Sequence, residues 1–156
     1  MSLPRFAAFL LASLVLPAAA GDPVALWCVP QERLGCGCSL RVTGLACPNE
    51  TVSRQPHFFS ALHDGAPLWL NVAGREMSLP SARPQSQSFS YARGKSWHET
   101  YRGNRMVVRV SYRPGRNSCP KEKTEGCEYF DVAATVLVTS ASGATSKFSG
   151  TGACGC

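Results

Sequence analysis

Histidine is scarce in this sequence: His57, His63 and His98 are the full set. No two of them have the i, i+4 spacing that puts a pair of imidazoles on one helix face for a zinc enzyme. His57 and His63 flank a short apolar stretch and read as structural residues. Acidic groups are also few, 10 Asp and Glu against 16 Lys and Arg, and no two form an evident acid/base pair of the glycosidase kind. A G-x-S-x-G elbow and a phosphate-cradling Gly-rich loop ahead of a helix are both missing. Catalysis therefore has no visible seat, no cofactor or metal is called for, and the chain reads as a non-enzymatic protein.

Also missing are helical periodicity, internal repeats, coiled-coil heptads and a long linker. Only residues 80–88, PSARPQSQS, are low in apolar content. No apolar run reaches the roughly 20 residues needed to span a bilayer. The longest, Phe6 to Leu16, follows Arg5 and is closed by Pro17 and then Ala18, Ala19, Ala20 before Gly21. That layout is a secretory signal peptide with a small-residue cleavage site. Cys28, the first cysteine, lies too far downstream to become a lipidated N-terminus. The expectation is a signal peptide over 1–20 and a single domain over 21–156, periplasmic or secreted, with no transmembrane segment after cleavage. Loss of Arg5 moves the formal charge from +6 to +5.

Cysteine is abundant, with eight residues, all in the exported part. In an oxidising compartment an even set reads first as a disulfide framework. Two clips, Cys36-Gly37-Cys38 and Cys154-Gly155-Cys156, place their cysteines at i and i+2, on one face of a strand. If the clips lie antiparallel, Cys36 opposes Cys156 and Cys38 opposes Cys154. Cys28 with Cys47, and Cys119 with Cys127, complete one plausible set. The rival reading is a four-thiolate site of Cys36, Cys38, Cys154 and Cys156 for Cu(I) or Zn(II), or a redox device. Metal retention after reduction would support it.

Period-two alternation dominates the rest. Leu68, Leu70 and Val72 share a face, Ala73-Gly74 turns, and Met77 and Leu79 return, which reads as a hairpin. Phe89 and Tyr91, then Trp97, Glu99 and Tyr101, then Met106, Val108, Val110 and Tyr112 read as a three-strand meander. Its turns are placed at Arg93-Gly94 and at Arg102-Gly103-Asn104. Phe130, Val132, Ala134, Val136 and Val138 form one face of a further strand, with a turn at Ser142-Gly143. Residues 21–56 read as loop-rich with a short strand near Leu40 to Thr43, and a brief helical turn is expected around His57 to Leu62. The fold class is all-β, one disulfide-stapled antiparallel barrel or sandwich of about seven to nine strands.

Charge is concentrated. From Arg83 to Arg116 the chain carries Arg83, Arg93, Lys95, Arg102, Arg105, Arg109, Arg113 and Arg116 against Glu99, a local balance of +7. Arg109, Ser111 and Arg113 alternate with Val108, Val110 and Tyr112, which sets the guanidinium groups on one sheet face. A cationic face beside Trp97 and Tyr101 suits an acidic protein, an anionic glycan or lipid headgroups, since arginine forks match carboxylate and phosphate. The bland alternative is a solvated face that blunts strand edges. Nucleic acid is an unsuitable partner for an exported protein. Asn49-Glu50-Thr51 matches the glycosylation pattern, relevant only in a eukaryotic secretory pathway.

Residues 70–110, LNVAGREMSLPSARPQSQSFSYARGKSWHETYRGNRMVVRV, resemble the core of MliC-type periplasmic inhibitors of c-type lysozyme through Gly74, Leu79, the loop Ser86 to Tyr91, Trp97 and Arg102-Gly103. The resemblance implies a small antiparallel barrel whose loops enter the lysozyme cleft. Arg102 would face the enzyme's catalytic carboxylates, and Ser86, Ser88 or Tyr91 would supply polar contacts. The two Cys-Gly-Cys clips have no counterpart in that pattern. A disulfide-rich module for another anionic partner is the alternative.

Overall fold

The computed structural model describes residues 24–30, 32, 35–47, 55–61, 66–82, 96–117 and 129–155. It is all-β, with nine antiparallel strands: β1 Leu26–Trp27, β2 Gly37–Val42, β3 Phe58–Ala61, β4 Leu68–Val72, β5 Arg75–Leu79, β6 Trp97–Gly103, β7 Met106–Asn117, β8 Tyr129–Thr139 and β9 Thr145–Gly155. Among the described residues no helix is long and apolar enough to cross a membrane. The expected signal peptide, Asn49, and the loop residues Ser86, Ser88 and Tyr91 lie outside the described residues.

The strands form one sheet in the order β1-β4-β3-β2-β9-β8-β7-β6, with β5 on the other edge of β4. Past the end of β5, Ser81 bridges to Tyr101 on β6. Ala82 N–H donates to the Thr100 carbonyl at 2.8 Å, and Arg102 N–H donates to the Pro80 carbonyl at 3.0 Å. The sheet is therefore curled into an open barrel whose two ends touch at one bridge and do not form a full ladder.

Alternation puts one continuous core on the concave side. Leu40, Phe58, Leu68, Leu70, Leu79, Val108, Val110, Val136 and Val138 are all essentially removed from solvent. Each such side chain contributes about 1.5–3 kcal/mol by burial. Trp97 stacks on Tyr112 with ring centroids 4.6 Å apart. The Ser60 hydroxyl on β3 hydrogen-bonds the Tyr101 phenol on β6, tying opposite walls across the interior.

The hairpin of β4 and β5 forms as its alternation predicts, with Ala73 and Gly74 both at positive φ, 51° and 83°. Three local expectations are corrected. Residues 58–61 are strand β3, not a helical turn, because Phe58 and Ser60 pair with Leu40 and Cys38 of β2. Phe59, on the opposite face, is also buried; Gly37 makes room for it, since a Cβ there would lie 2.6 Å from the Phe59 ring. The β6–β7 turn is Asn104-Arg105, at φ 49° and 59°, one residue later than Arg102-Gly103-Asn104. Gly103 serves close packing instead: a Cβ would come within 3.2 Å of Leu79 and 3.3 Å of Pro80. The strand expected at Phe89 and Tyr91 lies outside the described residues. Finally, Trp97 and Tyr101 do not share the cationic face, because both belong to the inward side of β6, opposite Tyr112 and Val108.

Candidate functional site

The two Cys-Gly-Cys clips do lie antiparallel. Gly37 is in register with Gly155 and Cys38 with Cys154, and a disulfide joins Cys38 to Cys154 across a Cα–Cα distance of 3.9 Å. Cys28 and Cys47 form a second bridge, Cα–Cα 5.9 Å. Cys36 is also disulfide-bonded, and Cys119, Cys127 and Cys156 lie outside the described residues. Cys36, Cys38 and Cys154 are thus in sulfur–sulfur bonds and are not thiolates in this state. The bridges indicate an oxidising, exported compartment.

A cluster that the sequence does not announce is Cys28, Cys47 and His57, whose sulfur and ring nitrogen atoms lie within 4.8 Å of one another. His57 is buried. Its Nδ1 accepts the Val42 N–H at 3.1 Å, which leaves the ring proton on Nε2, 4.0 Å from the Cys28 sulfur. A metal-binding imidazole needs a lone pair on the nitrogen facing the metal, and here that nitrogen carries the proton while both sulfurs are in a disulfide. The cluster is a packing arrangement. Burial, and secondarily the positive charge of Arg41, hold the His57 pKa below its ordinary value.

On the inward side of β6 the Tyr101 hydroxyl donates to the Glu99 carboxylate. Burial first, then the neighbouring Tyr112 and Glu99, push the Tyr101 phenol far above its ordinary range. It stays a neutral donor at any physiological pH.

The outer wall carries the charge. Cross-strand register sets its side chains in rows. Arg41 on β2, Thr151 on β9, Ala133 on β8 and Arg113 on β7 are consecutive partners. The next outward-facing row is Ser149, Thr135, Ser111 and His98, continued by Thr43, whose N–H donates to the Ser149 carbonyl at 2.8 Å. The third row is Lys147, Leu137, Arg109 and Thr100. Short hydroxyl side chains thus form a floor, with Arg41 and Arg113 on one bank and Arg109 and Lys147 on the other.

The cations stand at the corners of this hydroxyl strip, since Thr151 and Ala133 between Arg41 and Arg113 are as short as the floor residues. Two open grooves, of about 680 Å³ and 870 Å³, adjoin on this wall and share Thr43, Ala133 and Thr151; both lie toward Arg41 and Arg113, and neither is lined by Arg109 or Lys147. Arg41, Arg102, Arg105, Arg109, Arg113 and Lys147 are all exposed. Asp131 is the one outward carboxylate among the described residues of β2 and β6–β9, in register with Ala153 beyond the Arg41–Arg113 row. The structure therefore brings together Arg109 and Arg113 as expected, adds Arg41 and Lys147, and sets Arg102 and Arg105 at the hairpin end of the same wall. Arg41 and Lys147 escape a sequence reading because they are 106 residues apart and meet this face only through the β2–β9–β8 pairing. Trp97 lines one of these grooves while it stacks on Tyr112.

The chain matches no family model, no curated protein and no solved structure.

Proposed function

We propose that this is an exported, non-enzymatic binding protein that engages an anionic partner through the outer wall of β2 and β6–β9, in the periplasm or outside the cell. The observation that carries the reading is the segregation of Arg41, Arg109, Arg113 and Lys147 around a hydroxyl floor with Asp131 as the local carboxylate. Random placement of a small positive excess would scatter charge of both signs over the barrel. A single-sign field accelerates encounter with an anion and makes binding salt-dependent. The test compares Arg113→Glu with Arg75→Glu, an equal change of charge on exposed β5, outside the wall. Heparin serves as a generic anionic probe. The wall variant should lose at least about tenfold in affinity, roughly the worth of one charge-assisted hydrogen bond. Equal loss in both variants would mean that net charge, not this face, does the binding.

A second reading, a lysozyme inhibitor, is favoured by one observation: Arg102 is exposed immediately before the tight β6–β7 turn, a shape that can enter a cleft. There a guanidinium would meet carboxylates bidentately. It predicts that the non-reduced protein slows cell-wall lysis by a c-type lysozyme, and that Arg102→Ala abolishes the effect. Undiminished lysis at micromolar excess of protein removes this reading.

A further inference from the structure

We infer that the hydroxyl strip is a binding site for a linear anionic polysaccharide of carboxylate-bearing sugars, lying across the strands with its hydroxyls on the floor and its carboxylates toward the banks. This deepens the anionic-partner reading and rests on it.

The floor from Thr43 to His98 crosses β2, β9, β8, β7 and β6, so it is about 19 Å long at the ordinary interstrand spacing. Arg109 and Arg113 are four residues apart on one strand, which separates the banks by about 13 Å at the backbone. A strip of hydroxyls of that length with cations at its corners suits a chain and not a compact ligand.

Thr43, Ser111, Thr135 and Ser149 each offer a donor and acceptor in the same group, and His98 adds a ring nitrogen. A sugar presents that same mixed pattern along its length. Polar floors are poor cores for protein partners, whose interfaces concentrate aromatic and apolar groups and are depleted in serine. A single-stranded nucleic acid would need exposed aromatic platforms for its bases, and Trp97 is turned inward onto Tyr112. A lipid surface would need projecting apolar side chains; Trp27 and Leu45, the exposed large apolar residues among those described, are not in the floor row.

Arg113 and Arg109 stand on either side of Ser111, and Arg41 and Lys147 on either side of Ser149. Cations recur on both banks at both ends of the track, which matches a polymer with repeated carboxylates better than a single anion. Arginine binds carboxylate bidentately, and lysine as a point charge.

The experiment uses the full exported chain with its disulfides intact. Calorimetry at low and moderate salt measures binding of a polygalacturonate oligomer, a heparin oligosaccharide, neutral dextran, and vesicles containing phosphatidylglycerol. Variants are Thr135→Trp, which fills the floor without changing charge, and Arg113→Gln, with Arg113→Lys as its conservative partner; thermal unfolding checks that each folds. The expected result is binding of the polyuronate in preference to dextran and vesicles. Thr135→Trp and Arg113→Gln should each weaken it about tenfold or more, with partial recovery in Arg113→Lys. If folded Thr135→Trp binds polyuronate as tightly as the parent while charge reversal on the wall still abolishes heparin binding, the hydroxyl-strip proposal fails and the anionic-partner reading stands. If neither polyanion binds at low salt, both fail. Preference for vesicles over polyuronate likewise overturns the glycan assignment.

Discussion

His57 stands with its Nε2 edge 4.0 Å from the Cys28 sulfur while its Nδ1 takes the Val42 N–H at 3.1 Å. One ring thereby joins the Cys28–Cys47 bridge to the backbone at the end of β2. The arrangement requires a neutral imidazole, since a proton on Nδ1 would remove the acceptor that Val42 needs. Arg41, on the neighbouring position of β2, opposes that proton as well.

Stability should therefore fall with pH in a definite window. His57 has a folded pKa below its ordinary value of 6.5, so the unfolded chain takes up the proton first. The contribution is fully present above about 6.5 and is lost as pH falls from there through the lowered folded pKa. Thermal unfolding between pH 7.5 and 5.5 should show a declining midpoint. In His57→Gln the midpoint at pH 7.5 should be lower, but the slope over this window should shrink. An unchanged slope would show that other groups govern the decline.

The two described bridges should differ in worth. Cys38–Cys154 spans 116 residues and Cys28–Cys47 spans 19. In the chain-entropy account the longer closure restricts the unfolded chain more, about 4–5 kcal/mol against about 3. Cys154 and Cys38 are also buried in the core. Denaturant unfolding of the Cys38→Ala/Cys154→Ala protein should show the larger loss, and a greater loss from Cys28→Ala/Cys47→Ala would contradict the ordering.

Much of this architecture is visible in the residues because local alternation and turn chemistry agree with the final sheet. Leu68, Leu70 and Val72 against Trp69 and Asn71 specify a strand with one buried face, and the β8 pattern from Val132 to Val138 does the same. The Cys38–Cys154 pairing follows once the two Cys-Gly-Cys clips are laid antiparallel. What stays hidden depends on neighbours distant in sequence. Nothing local tells that Phe59 will fill the space over Gly37, which is why the apolar run after His57 resembles a helical turn. Gly103 looks like a turn residue, yet its position is set by Leu79 and Pro80. The hydroxyl strip is hidden for the same reason: its banks exist only once β2 lies beside β9 and β9 beside β8.

Gly152 should tolerate no side chain. A Cβ there would run into the Ser39 carbonyl oxygen and within 3.1 Å of the Leu40 Cα, both backbone atoms of the paired strand β2. The strand cannot yield without disturbing the Cys38–Cys154 register. Gly35 has nothing within 4 Å of an added Cβ. Gly152→Ala should cost about 1–3 kcal/mol, as overpacking does, whereas Gly35→Ala should stay within about 0.5 kcal/mol, as surface changes do. Equilibrium unfolding in urea distinguishes them, and equal midpoints would mean that β9 can shift away from β2.

Arg105 sits at φ 59° in the second position of the β6–β7 turn, where the turn type favours glycine after asparagine. A left-handed backbone costs a non-glycine residue about 1 kcal/mol. Arg105→Gly should accordingly stabilise the hairpin, the strain relief exceeding the entropy that glycine restores to the unfolded chain, and raise the thermal midpoint by a few degrees. Arg105 also adds an exposed cation at the hairpin end of the wall. The same substitution should then weaken heparin binding by the exported protein in low salt, with the effect fading as salt screens it. Higher stability with unaltered binding would remove Arg105 from the cationic wall and leave the banks of the hydroxyl strip as its charged part.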